Sequence, residues 1–133
     1  MVSTHPWREL RSLSHITVEW VELPEGVHAR TNGVDRILMD KWLLQVERRC
    51  ALAHELQHIR MGHRGHQPPR IEHMVRVVVA RRLITLEDLI AACCWSRNNL
   101  WEIADELWVT PDVLWDRLTH LDAKERHVLN SID

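Results

Sequence analysis

The chain has 133 residues, the size of one ordinary domain, so one hydrophobic core is expected and a second independent domain is not. Hydrophobic residues make up 45% and charged residues 27%, with four Gly and five Pro, which excludes collagen-like, low-complexity and wholly disordered chains. The formal charge is −2, but residues 98–133 carry three basic residues (Arg117, Lys124, Arg126) against eight acidic ones, a balance that opposes contact with phosphates.

In chain order, residues 6–14 form a short helix with Pro6 in its first turn. The segment Ile16 to Leu23 alternates apolar and polar residues and is rich in β-branched side chains, the pattern of a half-buried strand, and Pro24-Glu25-Gly26 ends it. A second short strand over Val27–Arg30, a turn at Thr31-Asn32-Gly33 and a third strand over Arg36–Asp40 complete a small antiparallel sheet. From about Trp42 the period changes from two to roughly 3.6, and a long helix runs to Gly62. Gly62, Gly65, Pro68 and Pro69 break it, and a second helix follows from about Arg70 to Leu83. Thr85 opens a third, through about Cys94, and two more lie near 99–107 and 112–121, the last announced by Thr110 and Pro111. The fold class is therefore α+β: a helix, a small sheet, then helices. No run of apolar residues reaches the roughly 18 that span a bilayer, and the N-terminus lacks the apolar region of a signal peptide, so a cytosolic location is expected. Cys50, Cys93 and Cys94 are an odd number without the spacing of a disulfide framework and read as reduced thiols.

The chemistry lies in the long helix. Residues 54–58 read His-Glu-Leu-Gln-His, and side chains four apart share one helix face. His54 and His58 can therefore present two imidazole nitrogens to one Zn²⁺, with Glu55 placed to take a proton from a bound water. A catalytic zinc needs a third protein ligand and an open position. The spacing His-x-x-Gly-x-x-His beyond the motif is absent, which excludes the metzincin arrangement. Glu72 is the first acidic residue after the motif, and the Pro68-Pro69 turn permits an antiparallel return that would bring it to the histidines. His63, His66 and His73 compete for the same role. Glu87 and Asp88 are less favoured, because the intervening helix carries them away.

Residues 48–58, the following Gly62-His63, Glu72, the run Ala80 to Ile84, and the segments 103–107, 109–111 and 117–118 resemble the ImmA/IrrE metallo-endopeptidases. The similarity spans roughly residues 36 to 121 and is particularly to the short versions encoded by phages and mobile elements of actinobacteria. It implies a minimal gluzincin domain in which a small sheet beside the motif helix holds extended substrate. His54, His58 and Glu72 would be the zinc ligands and Glu55 the general base. The substrate would be a helix-turn-helix repressor whose cleavage relieves repression. The chain departs from the family after Glu72, where Met74, Val75, Arg76 and Val78 replace the usual residues. Arg76, one turn beyond Glu72, stands where a residue that hydrogen-bonds the ligands is expected.

The segment 100–118 has the rhythm of a helix-turn-helix. Its would-be recognition helix carries Asp112 and Asp116 with Arg117 as the only basic residue, so direct DNA binding is not expected. Ile103, Ala104, Leu107, Val109, Val113, Leu114 and Leu118 should pack as core, and Trp101, Trp108 and Trp115, seven apart, should each lie partly against it. Cys50 reads as a buried thiol and Cys93-Cys94 as core. Arg48-Arg49 and Arg81-Arg82 read as solvated helix faces. Three functions follow: a zinc endopeptidase of narrow specificity, a catalytically silent protein that docks a regulator on the same scaffold, and, least favoured, a DNA-binding regulator.

Overall fold

A computed structural model describes residues 5–96 and 99–132 of the chain. Pro6 occupies the first turn of α1 (Pro6–Ser12), where an N–H has no intrahelical partner to lose. Three strands follow, β1 (Thr17–Val21), β2 (Ala29–Thr31) and β3 (Arg36–Asp40). Among the described residues the rest is helical: α2 (Gln45–Met61), α3 (Pro69–Leu83), α4 (Leu86–Trp95), α5 (Leu100–Leu107), α6 (Pro111–Thr119) and α7 (Ala123–Asn130). The class is α+β, as the periodicities require.

The sheet is mixed, which corrects the antiparallel arrangement expected from the strand pattern. Its order is β1-β3-β2, with β2 antiparallel to β3 and β1 parallel to it, Thr17 opposite Arg36 and Val21 opposite Asp40. The Asn-Gly turn does make the β2–β3 hairpin. Asn32 Oδ1 accepts from the backbone N–H groups of Val34, Asp35 and Arg36, and Gly33 takes φ = 80°. A parallel pair needs a long connection, and residues 22–35 supply it by crossing to the far edge of β3 and adding β2 there. Alternation identifies strands but does not say which are neighbours.

Helix α2 lies between two clusters of buried residues, where chain length led to the expectation of one core. On one side Ala51, Leu52 and Leu56 pack with Ile16, Ile37, Met39 and Leu43 of the sheet layer. On the other, Cys50 and Ala53 join Val75, Val79, Leu83, Ile84, Leu89, Ile103 and Leu114 of the later helices. Gly62, at φ = 77°, ends α2 in the left-handed conformation that glycine adopts freely, and its N–H donates to the carbonyls of His58 and Ile59. The chain then turns back at Pro69 so that α3 packs along α2. No helix among the described residues is long and apolar enough to cross a membrane.

The helices differ from the sequence expectation in four respects. First, α7 was not expected, although Asp122 and Glu125 form its capping box, each side chain accepting from the other's backbone N–H. Second, Trp101, Trp108 and Trp115 are 71%, 55% and 59% exposed and none belongs to the core cluster. A seven-residue repeat marks one face only in a continuous helix, and here Trp108 is itself the left-handed C-cap of α5, at φ = 56°. Ile103, Ala104, Val109 and Leu114 are buried instead, with Leu107, Val113 and Leu118 packed against them. Third, Cys93 packs on this core but Cys94 is exposed. Fourth, the arginine pairs are not simply solvated: Arg49 is buried and donates Nη1–H to the Trp108 carbonyl at 2.6 Å, while Arg81 pairs with Glu125 and Arg82 donates to Gln57 Oε1.

Arg117 fastens this region. It is 2% exposed, donates from Nε to the carbonyl of Ile84, and pairs through Nη2 with Glu125 Oε2 at 2.6 Å. The Arg117 guanidinium, opposed by partial burial and helped by Arg81, holds the Glu125 carboxyl down at about 2. Glu125→Gln should destabilise the protein by about 3–5 kcal/mol at pH 7, because it leaves a buried guanidinium without its counter-charge. Since the folded pKa is depressed, this stabilisation is present above the ordinary carboxylate value of 4.5 and is lost as pH falls toward 2. Chemical denaturation at a series of pH values should show the gap between wild type and variant closing in acid.

Candidate metal centre

Burial on both sides leaves α2 one narrow polar strip, and the residues of the His-Glu-x-x-His motif occupy it. His58 is 4% exposed, Glu55 is buried and His54 half-buried. Their spacing places His54 and His58 one above the other, with ring centroids 4.8 Å apart and planes at 72°. Glu72, in the first turn of α3, reaches across from the neighbouring helix. Its Oε1 lies 2.8 Å from His54 Nε2 and 3.0 Å from His58 Nε2, and the two nitrogens are 3.2 Å apart. These three atoms converge on one point, and this group could hold a metal ion.

The local charges fit a cation. Although burial works to raise it, the hydrogen bonds from both histidines hold the Glu72 carboxyl below its ordinary value, so it is an anion at neutral pH. Burial, helped by the nearby His58 and Arg76, lowers the pKa of His54 against the pull of Glu72, which favours the neutral imidazole that a metal requires. Burial, with a further push from Glu72, raises Glu55 to about 8, so without a metal this side chain is largely protonated near pH 7. A cation held by the neighbouring residues would oppose that shift.

The other sequence candidates stand outside the converging group, although His66 lines the same groove. His63 sits behind His58, its Nδ1 3.1 Å from His58 Nδ1 on the side of that ring remote from Glu72. His73 projects from α3 against His120, with centroids 4.9 Å apart, and His66 is exposed on the loop between α2 and α3. Glu87 and Asp88 are exposed in the first turn of α4. Arg76 lines the same cavity as the three converging residues, with Nη2 3.1 Å from His73 Nδ1 and Nε 3.6 Å from Asp116 Oδ2. It does not displace Glu72.

The centre opens into a groove of about 1460 Å³ between β2, α2, α3 and the α5–α6 turn. β2 is an edge strand. His28 and Asn32 bond toward β3, so by alternation Ala29 and Thr31 turn their backbone N–H and C=O groups away from it. The sequence pattern marked this strand but not its exposed edge, which depends on strand order. Comparison of the chain with protein-family models, with curated proteins and with solved structures finds no match.

The raised Glu55 gives a test of the site's electrostatics in metal-free protein. A carboxyl with a folded pKa near 8 contributes stability that is complete below its ordinary 4.5 and is lost as pH rises through 8. Chelator-treated wild type should lose stability relative to Glu55→Gln across that interval, the variant being the more stable at pH 9. Melting temperatures that run parallel from pH 5 to 9 would contradict the buried, uncompensated carboxyl.

Proposed function

We propose that this protein is a zinc-dependent endopeptidase of the ImmA/IrrE kind, built on a gluzincin domain, with His54, His58 and Glu72 as ligands and Glu55 as general base. The observation that carries the reading is the convergence of Glu72 with both motif histidines. A tetrahedral Zn²⁺ with bonds of about 2.0–2.2 Å sets its ligand atoms roughly 3.3–3.6 Å apart. The separations of 2.8, 3.0 and 3.2 Å need to open by less than about 1 Å to reach that range.

Zinc, when bound, would acidify a water and polarise the scissile carbonyl. Glu55 takes the proton from the attacking water and delivers it to the nitrogen of the departing amine. An extended peptide fits the exposed edge of β2, whose free backbone groups at Ala29 and Thr31 can pair with it as an added strand. Such binding reads backbone first, so selectivity rests with the groove walls and with the partner's own presentation of an extended segment. The substrate in this reading is a helix-turn-helix repressor in the cytosol, of the host where the gene is carried by a phage. Arg117, the single basic residue of the candidate recognition helix, is turned into the protein, which favours cleavage of a regulator over direct contact with DNA.

One observation favours a second reading. Arg76 places a cation in the groove, and a scaffold that docks a regulator without cutting it could use that charge.

Metal analysis of untagged protein should find one Zn²⁺ per chain, lost in His54→Ala and in His58→Ala. Glu72→Gln should weaken zinc binding strongly while the fold survives, because an amide is a poorer ligand than a carboxylate. Glu55→Gln should keep the zinc and lose roughly 10²–10⁴-fold in cleavage of a helix-turn-helix repressor, followed by mass spectrometry of the fragments. Stoichiometric zinc in the double histidine variant would refute the ligand set. Zinc with no cleavage by wild type, but stable complex formation, would establish docking instead.

A further inference from the structure

His58 has two ring nitrogens, and only Nε2 faces His54 and Glu72. The other, Nδ1, lies on the opposite side of a ring that is almost wholly buried, where its hydrogen-bond partner among the described residues is His63 Nδ1 at 3.1 Å. The two rings meet edge to face, with centroids 5.3 Å apart and planes at 61°. An imidazole that gives its Nε2 lone pair to a metal carries its proton on Nδ1 and must donate it to something. The acceptor in this position fixes both the tautomer and the ring's orientation.

His63 is itself fixed by backbone contacts. Its N–H donates to the His58 carbonyl at 3.0 Å, closing the left-handed turn at Gly62. Its carbonyl lies against Gly33 in the β2–β3 turn, so closely that a Cβ on Gly33 would overlap the His63 oxygen. Two loops distant in sequence thus hold one side chain behind one ligand. From this arrangement we infer that His63 is a positioning residue for the metal centre: it accepts the Nδ1–H of His58, and so presents the Nε2 of His58 to the ion. The inference rests on the reading of His54, His58 and Glu72 as metal ligands and assigns His63 a role in place of the ligand role that its position in the sequence allowed.

The geometry separates His63 from the ligands in a testable way. Removing a ligand removes the metal, whereas removing the acceptor leaves all three ligand atoms in place but frees the His58 ring to turn. His63→Ala should therefore still bind Zn²⁺, with affinity reduced about 10–100-fold. Asparagine places its side-chain oxygen close to where the Nδ1 of histidine lies, so His63→Asn should recover most of the loss. Phenylalanine in its place fills the space without the acceptor and should behave as alanine does.

The experiment is competition of Zn²⁺ between a chromophoric chelator and each purified, untagged variant at one pH, paired with the visible spectrum of the Co²⁺-loaded forms and the melting temperature of the metal-free forms. The expected result is a rank order wild type, Asn, then Ala with Phe, a shifted Co²⁺ band in Ala and Phe, and near-equal metal-free melting temperatures for Asn and Phe. Zinc affinity unchanged in Ala and Phe would overturn the inference while leaving the metal centre intact. Equal weakening in Asn, Ala and Phe would also overturn it, since the acceptor would then be irrelevant. A wild type that holds no zinc would refute the metal reading itself, and the role of His63 with it.

Discussion

The constraint from which the site follows is the burial of α2 on two sides. A helix packed between a sheet layer and a helical layer has little room for polar groups, and each one that it carries needs a partner. Gln57 accepts from Arg60 and Arg82, Arg49 donates to the Trp108 carbonyl, and His58 lies between Glu72 and His63. The His54, His58 and Glu72 group lies where these cores leave α2 open to the groove. Both cores bear on it: the sheet side supplies the edge of β2, and the helical side supplies α3 with Glu72. The inter-helix turn does the joining, because Gly62 reverses the chain and Pro69 restarts the helix with Glu72 already in its first turn.

Much of this was legible in the sequence because it depends on local rules. Four-residue spacing puts His54 and His58 on one face whatever surrounds the helix, and a Gly-and-Pro break followed by helical periodicity implies a return. The third converging side chain is one step less local, and Glu72 is the first carboxylate that the returning helix can present. What was not legible depends on neighbours. Strand order is set by where residues 22–28 run, and no alternation of residues encodes that. Arg49 and Arg81 read as solvent-facing because the carbonyl and carboxylate that receive them lie far along the chain, at Trp108 and Glu125. The exposed tryptophans show the same limit, since their regular spacing is interrupted by a turn. The start of α7 does carry a local signal in the sequence, the Asp122–Glu125 capping box.

The C-terminal segment keeps the outline of a helix-turn-helix but turns its basic residue inward. Arg117 joins α6 to the end of α3 through the Ile84 carbonyl and to α7 through Glu125. The acidic surface that remains, with exposed Trp101 and Trp115, lies beside the groove, where Trp101, Asp105 and Asp112 contribute to its wall. Part of this segment forms the wall around the candidate centre. Arg76 shows the same economy of charge: its guanidinium approaches Asp116 of α6, which offsets a cation set near His54.

The assignment of His54, His58 and Glu72 is tested most directly by X-ray absorption at the zinc edge of the loaded, untagged chain. Two imidazole nitrogens and oxygen donors at about 2.0–2.2 Å are expected, and both imidazoles are retained in His63→Ala. A third imidazole in the wild type, or zinc bound without imidazole, would contradict the proposed centre.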